Sequence, residues 1–397
     1  MSRGLNRIET FFSEKLRRFE IIRSAVKYLY QKIWTIFSKS KLEFSGVSIW
    51  VLKDCFGGFH NVKVFNGEDV VCALRHHKPR SEIEIGAELE VIVSRPPYSD
   101  QITVGSTAAF NWQQGCRLQF YSENNIIFNV IEDGFVKAKT VCINTFEHSY
   151  LDYSIYAVGP LGSNLLATCS FLNIETNMTG YGYRGEYRER VGTNQISIFN
   201  SQSEIFNHIY LTLDLREFIT HLEFSRDGHY ISFFRRSKIS RNNYYTKLCV
   251  YQIDGTLLVD IKQFEYITHY AWTDEGIMFF AKERKKEKGG YYFYHIRNGM
   301  VSMVSNIFPD GHPTYSNGRL LTDTYPDRRR IQKLKAINNL EGMSGDCCSI
   351  VEATIPPVYI GNNRVDFHPR LNLKGNLFSI DVAREHGVDM FIGKLDE

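Results

Sequence analysis

No C-x-x-C pair occurs anywhere in the 397 residues, no apolar run is long enough to span a bilayer, and prolines number only 10. The first absence argues against a zinc ribbon, the second against a spanning helix. A G-x-S-x-G elbow and a P-loop are also missing. The stretch "GYGYRGEY" is a Tyr-rich loop without the strand–helix setting that phosphate binding needs. Nucleophile-elbow hydrolysis and nucleotide chemistry therefore lose their sequence support. Eight cysteines stand scattered at 55, 72, 116, 142, 169, 249, 347 and 348, and the adjacent last two are badly placed to bridge each other. Reduced thiols in a cytoplasmic protein are the expectation, and the basic N-terminus lacks the unbroken apolar core of a secretory signal. Net charge is only +3, so electrostatic function must be local, and basic clusters without a recognition motif argue against nucleic acid as a partner.

What the chain does have is aromatic residues, 28 Phe and 23 Tyr, with 43% hydrophobic content. That bias favours strands and a large core. Residues 1–42 differ from the rest. Apolar residues at Phe19, Ile22, Val26, Leu29, Ile33 and Ile36 alternate steps of three and four, the pattern of an amphipathic helix. Its companions Lys15, Arg17, Arg18, Arg23, Lys27 and Lys32 are basic. Such a helix either packs on protein or lies on a membrane surface, which would make the chain peripheral to the membrane.

From residue 43 onward the helical period gives way to repeated hairpins. "THLEFSRDGHYISFF", "THYAWTDEGIMFF", "GHPTYSNGRLLTD" and "FHPRLNLKGNLFSI" align on turns ending at Gly228, Gly276, Gly318 and Gly375. Weaker copies begin at Ile155, Ala108 and Val62. Repeats of this length read as four-stranded blades, and the count predicts an all-β, seven-bladed β-propeller over 43–397. The segment "SGVSIWVLKD" is placed to complete the last blade and close the ring.

The alignment sets His221, His269, His312 and His368 at one repeat position, three residues before the core residue of each first strand. An arc of imidazoles at the channel mouth follows. The second strands leave on the same face through "RRSK", "KERKKEK", "YPDRRR" and "AREH", which suits an anionic ligand. Arg235, Arg236, Arg328 and Arg329 are the better carboxylate holders, since a guanidinium grips with two parallel hydrogen bonds. Arg184 is a further, weaker candidate. In "NNRVDFHPR", Asp366 and His368 stand two apart on extended chain. With His312 they offer a divalent metal one carboxylate and two imidazoles; alternatively Asp366 only orients a histidine.

The stretches "WQQGCRLQFYS", "IYAVGP", "GYGYRG", "DGHPTYS", "TDTYPDRRR" and "VDFHPRLN" resemble the oligogalacturonate lyase group of seven-bladed propellers and their bacterial, polysaccharide-associated relatives. The resemblance implies a central divalent ion, Mn2+, with His312 and His368 among its ligands, and β-elimination on a uronide. The Gln-x-x-His-x-His ligand stretch of those lyases corresponds here to Asn363, Asp366 and His368. Arg235 stands where such proteins carry a histidine, so the proton-abstracting role would fall to His269 or His221. The expected function is a metal-assisted lyase, or related enzyme, acting on an acidic oligo- or polysaccharide. The competing expectation is a non-catalytic propeller that binds anionic polysaccharide or scaffolds an assembly at the membrane surface.

Overall fold

Alternation of aromatic or β-branched residues with polar ones, broken by short turns, builds 29 strands in seven antiparallel sheets among the described residues. The structure, a computed structural model, describes residues 41–77, 87–177, 182–183, 185–240, 243–284, 288–305, 309–327, 329–337, 347–359, 364–385 and 387–395. The expected N-terminal helix falls almost wholly on residues outside this set. The described chain opens in a strand, β1 (Leu42–Phe44).

Six of the sheets are four-stranded blades, as the repeat spacing predicts. The first blade holds β3 (Cys55–Phe56), β4 (Val71–Arg75), β5 (Leu89–Ser94) and β6 (Ile102–Thr107). The second holds β7 (Gln119–Phe120), β8 (Asn125–Glu132), β9 (Phe135–Cys142) and β10 (His148–Leu151). In the third, β11 (Ala157–Val158) and β12 (Leu166–Thr168) are separated from β13 (Gln195–Phe199) and β14 (Ile205–Tyr210) by an insertion carrying the helix α1 (Phe171–Asn177). The fourth runs β15 (Glu217–Phe224), β16 (Tyr230–Ser240), β17 (Asn243–Gln252) and β18 (Leu257–Ile261). The fifth runs β19 (Phe264–Trp272), β20 (Gly276–Glu283), β21 (Gly290–His295) and β22 (Val301–Ser305).

The sixth blade, β23 (Thr314–Ser316), β24 (Arg319–Asp323), β25 (Ile331–Ile337) and β26 (Cys347–Thr354), gains β1 as a fifth strand. The seventh holds β27 (Arg370–Leu371), β28 (Leu377–Arg384) and β29 (Gly387–Leu395), and β2 (Val47–Leu52) completes it from outside, Val47 opposite Leu395 and Leu52 opposite Met390. The "SGVSIWVLKD" segment thus closes the ring as its sequence implies. One repeat register needs correction. In "AAFNWQQGCRLQFYS" the turn at Gly115 precedes the first strand of its blade, because Gln119 and Phe120 pair with Ile127 and Ile126. Its apparent second strand is therefore the first.

Each blade buries both faces against its neighbours. Phe128, Phe233, Phe279 and Phe378 are fully buried, and burying such a side chain is worth roughly 1.5–3 kcal/mol. The ring is also pinned at its seam. Arg370 and Asp381 form a buried two-pronged ion pair, at 2.6 Å and 3.1 Å. Asp381 accepts hydrogen bonds from the backbone of Gly57 at 3.0 Å and Gly58 at 3.2 Å, joining the last blade to the first. Gly58 has a φ of +91°, and a Cβ there would sit 2.7 Å from the Gln114 carbonyl oxygen, so only glycine fits. Among the described residues, no helix is long and apolar enough to cross a membrane.

Candidate functional site

The aligned histidines do meet, but deeper than a channel mouth. In β15, Thr220 opposes Phe234 and Glu223 opposes Ser232, so His221 and Leu222 face the single residue Phe233 across a β-bulge. In β19 the same insertion falls at Thr268 and His269. A bulge breaks the pleat and re-aims a side chain, here into the channel. His221, at φ 58°, and His368, just before β27 at φ 43°, hold a left-handed backbone conformation. All four are buried.

A fifth histidine completes the layer. His60 lies 5.4–6.2 Å, ring centre to ring centre, from His312, His269, His368 and His221. Its signal was present, since His60 stands seven residues before Gly67 just as His221 stands seven before Gly228. Lys63 in place of the usual apolar residue obscured the match.

Two of these histidines and a carboxylate converge. A ligating atom from each of His312, Asp366 and His368 lies within 4.8 Å of the others. His368 Nε2 and Asp366 Oδ1 are buried without a hydrogen-bond partner, an expensive arrangement unless something else binds there. His312 Nδ1 lies 2.9 Å and 3.0 Å from the oxygens of Asp323, which leaves its Nε2 for a ligand. The other Asp366 oxygen takes Arg364 Nε at 2.7 Å. This nitrogen–oxygen set, backed by an orienting carboxylate, fits a divalent ion such as manganese, iron or zinc. Asp323 and Arg364 are functional candidates that sequence reading missed; both lie within quoted motifs, but nothing in their spacing marks them.

Burial pushes His60, His221 and His368 well below the ordinary imidazole range, and neighbouring positive charge adds to it. Burial also lowers His269, helped by His312 and opposed by Asp310. At His312 burial is outweighed by the charge and hydrogen bond of Asp323, and the group is raised. His269 Nδ1 lies 3.1 Å from Asp310 Oδ1, and its Nε2 is 3.5 Å from the Tyr325 hydroxyl. That is a histidine–carboxylate pair whose outer nitrogen faces the Tyr325 hydroxyl.

The basic rim is more neutral than the sequence suggests. Arg235 is held by Glu217, Nη2 to Oε2 at 2.6 Å and Nε to Oε1 at 3.1 Å. Lys282 pairs with Glu265 at 2.9 Å, and Arg384 lies 3.8 Å from Asp389. Arg236 is the buried member of its pair and acts electrostatically on His221 and His269. Arg329 is exposed in a turn, its backbone N–H bonded to Asp327. Arg364 places its guanidinium 4.9 Å over the Tyr325 ring, beside the metal trio. Arg184, Arg328 and Asn363 lie outside the described residues.

No protein-family model matches the sequence, and no curated protein matches it. Solved structures do match its fold. An oligogalacturonate lyase in complex with manganese superposes with a TM-score of 0.61 at 10% identity, covering 91% of this chain and 99% of that one. An oligogalacturonate lyase from Vibrio parahaemolyticus gives 0.60 at 10% identity with the same coverage. The β-propeller domain of the Trilobed protease from Pyrococcus furiosus gives 0.52 at 11% identity, covering 91% and 97%. The chain has the β-propeller fold that these structures share. At these identities the likeness speaks for the seven-bladed architecture alone.

Proposed function

We propose that this propeller is a divalent-metal-assisted lyase that cleaves an acidic, uronate-containing glycan by β-elimination. The observation that carries the reading is the buried trio His312, Asp366 and His368, two of whose atoms have no partner. The manganese complex of a lyase with this fold supports it. A divalent ion, Mn2+ by that likeness, would supply Lewis-acid polarisation of a sugar carboxylate and so make the adjacent C–H more acidic.

The chain's own residues supply the rest. Arg364 and Arg236 hold the substrate's carboxylates by charge-assisted hydrogen bonds. His269 is the base. Asp310 fixes its Nδ1 side, leaving Nε2 to accept the proton α to the carboxylate, and its lowered affinity for protons keeps it neutral and ready near pH 7. The electron pair released forms a carbon–carbon double bond, and the glycosidic oxygen leaves from the neighbouring carbon with the pair of the broken C–O bond and takes up a proton from water. Arg235 acts in this reading by holding Glu217 rather than substrate, and His221 by packing against His269.

The test is metal content. Wild type should bind about one manganese, iron or zinc per chain, and the His312→Ala/His368→Ala variant should bind none. No uptake by folded wild type would sink the lyase reading. The burial of all three ligands favours a second reading, in which the ion is structural and the propeller only binds anionic polysaccharide. Metal binding without an unsaturated product would select it.

A further inference from the structure

The opposite end of the channel carries a second cavity, of about 160 Å³. It is bounded by the turns joining first and second strands, at Pro160, Ser225, Ser316 and Asn372, and His60 forms part of its floor. His60 is the member of the histidine layer that faces it, and His312, Asp366 and His368 are not among its lining residues. Its size is near that of a cavity of roughly 150 Å³ known to admit one six-membered ring.

Two ionisable groups reach into it from blades that face each other. Lys63 gives its ammonium to the carbonyls of Val158, at 2.7 Å, and Gly159, which leaves one hydrogen of three. The Glu223 carboxyl has neither ion pair nor hydrogen bond among the described residues, and no ion pair closes between it and Lys63. The other cation in the wall, Arg226, is committed to Asp274 at 2.8 Å and to the Tyr315 carbonyl at 3.1 Å. Burial holds Glu223 up at about 8 and Lys63 down at about 8. Trp272 and Tyr315 supply an apolar wall.

A lone cation would satisfy Glu223 and be repelled by Lys63, whereas a lone anion would do the reverse. A hydroxyl both donates and accepts, so vicinal hydroxyls satisfy both groups at once, in either protonation state of the carboxyl. A ring that carries them presents its C–H face to the aromatic wall. We propose that the far mouth of the channel is a second binding site, for a single sugar or cyclic-polyol ring recognised through its hydroxyls by Lys63 and Glu223. The site is independent of the lyase reading, since none of its contacts involves the metal trio.

D-galactose is the probe, a neutral sugar without the carboxylate that the metal side is proposed to need. Equilibrium dialysis of labelled galactose, with tryptophan fluorescence as a second signal from Trp272, is run on wild type, Lys63→Met, Glu223→Leu, Glu223→Gln and His368→Ala. Saturable binding is expected, weakened roughly tenfold or more by Lys63→Met and Glu223→Leu. Glu223→Gln, which keeps the hydrogen bonding, and His368→Ala should bind as wild type does. Circular dichroism checks folding, and should Lys63→Met fail to fold, the two Glu223 variants decide. No saturable binding, binding indifferent to Lys63 and Glu223, or binding lost in His368→Ala would each overturn the proposal.

Discussion

Asp323 Oδ1 accepts hydrogen bonds from both the backbone N–H of His312, at 2.8 Å, and its Nδ1, at 2.9 Å, while Oδ2 accepts the backbone N–H of His368 at 3.2 Å. One carboxylate thus positions two of the three proposed ligands from behind. Replacing such an orienting carboxylate lowers metal affinity about 10–100-fold. Asp323→Asn should show that loss in a manganese titration. Unchanged affinity would mean that His312 and His368 are not ligands.

Arg235 and Arg236 are adjacent in sequence and differ in assignment. Arg235→Ala strands Glu217 and should lower stability by about 1–3 kcal/mol, read in urea unfolding, with substrate affinity little changed. Arg236→Ala should raise KM for an acidic oligosaccharide several-fold. The opposite pattern would return Arg235 to the substrate side.

The seam ion pair makes a prediction about closure. Asp381→Ala leaves the Arg370 guanidinium buried and unpaired and frees the Gly57 and Gly58 amides. Breaking a buried pair costs about 3–5 kcal/mol. Chemical denaturation should show that loss, together with faster amide exchange along β2 and β29. A loss below about 1 kcal/mol would show that the strand pairing of β2 closes the ring unaided.

Glu223 gives a pH dependence with a definite sign. Its folded value of about 8 lies above the ordinary 4.5, so the folded state holds a proton that the unfolded state releases between those pH values. Stability from this group is full below about pH 4.5 and is lost as pH rises through 8. Glu223→Gln removes the titration, so the variant should gain on wild type from pH 5 to pH 8, by on the order of 2 kcal/mol. A stability difference that is flat with pH would refute the half-buried, partnerless carboxyl. Lys63, held down at about 8, contributes in the opposite sense only above that pH.

The hairpin periodicity made the blades legible, because strand–turn–strand units repeat with glycine at a fixed place. The closing role of the Gly46 segment could be read for the same reason. Four histidines of the central layer were legible because register is a property of the repeat, and His312, His368 and Asp366 came together as their spacing implies. Depth was not legible. The bulges at His221 and His269 appear only once Phe233 and Phe280 are seen across the strand pair. Asp323 and Glu217 come from the same blades as His312 and Arg235, and Asp310 from the link that follows the blade of His269, yet their angles depend on packing that no spacing rule carries. The positive rim was overread for that reason, since the acids that neutralise it lie across strands rather than beside the arginines in sequence.

The most direct test of the account is to incubate the manganese-loaded protein with oligogalacturonate and follow the ultraviolet absorbance of an unsaturated uronate product. Wild type should generate it, while His368→Ala should not. His269→Ala should keep its metal and lose roughly 100-fold or more in rate, the contribution expected of a general base. A wild type that binds its ion stoichiometrically and forms no unsaturated product from any uronate glycan offered, or a His269→Ala variant as fast as wild type, would contradict the mechanism.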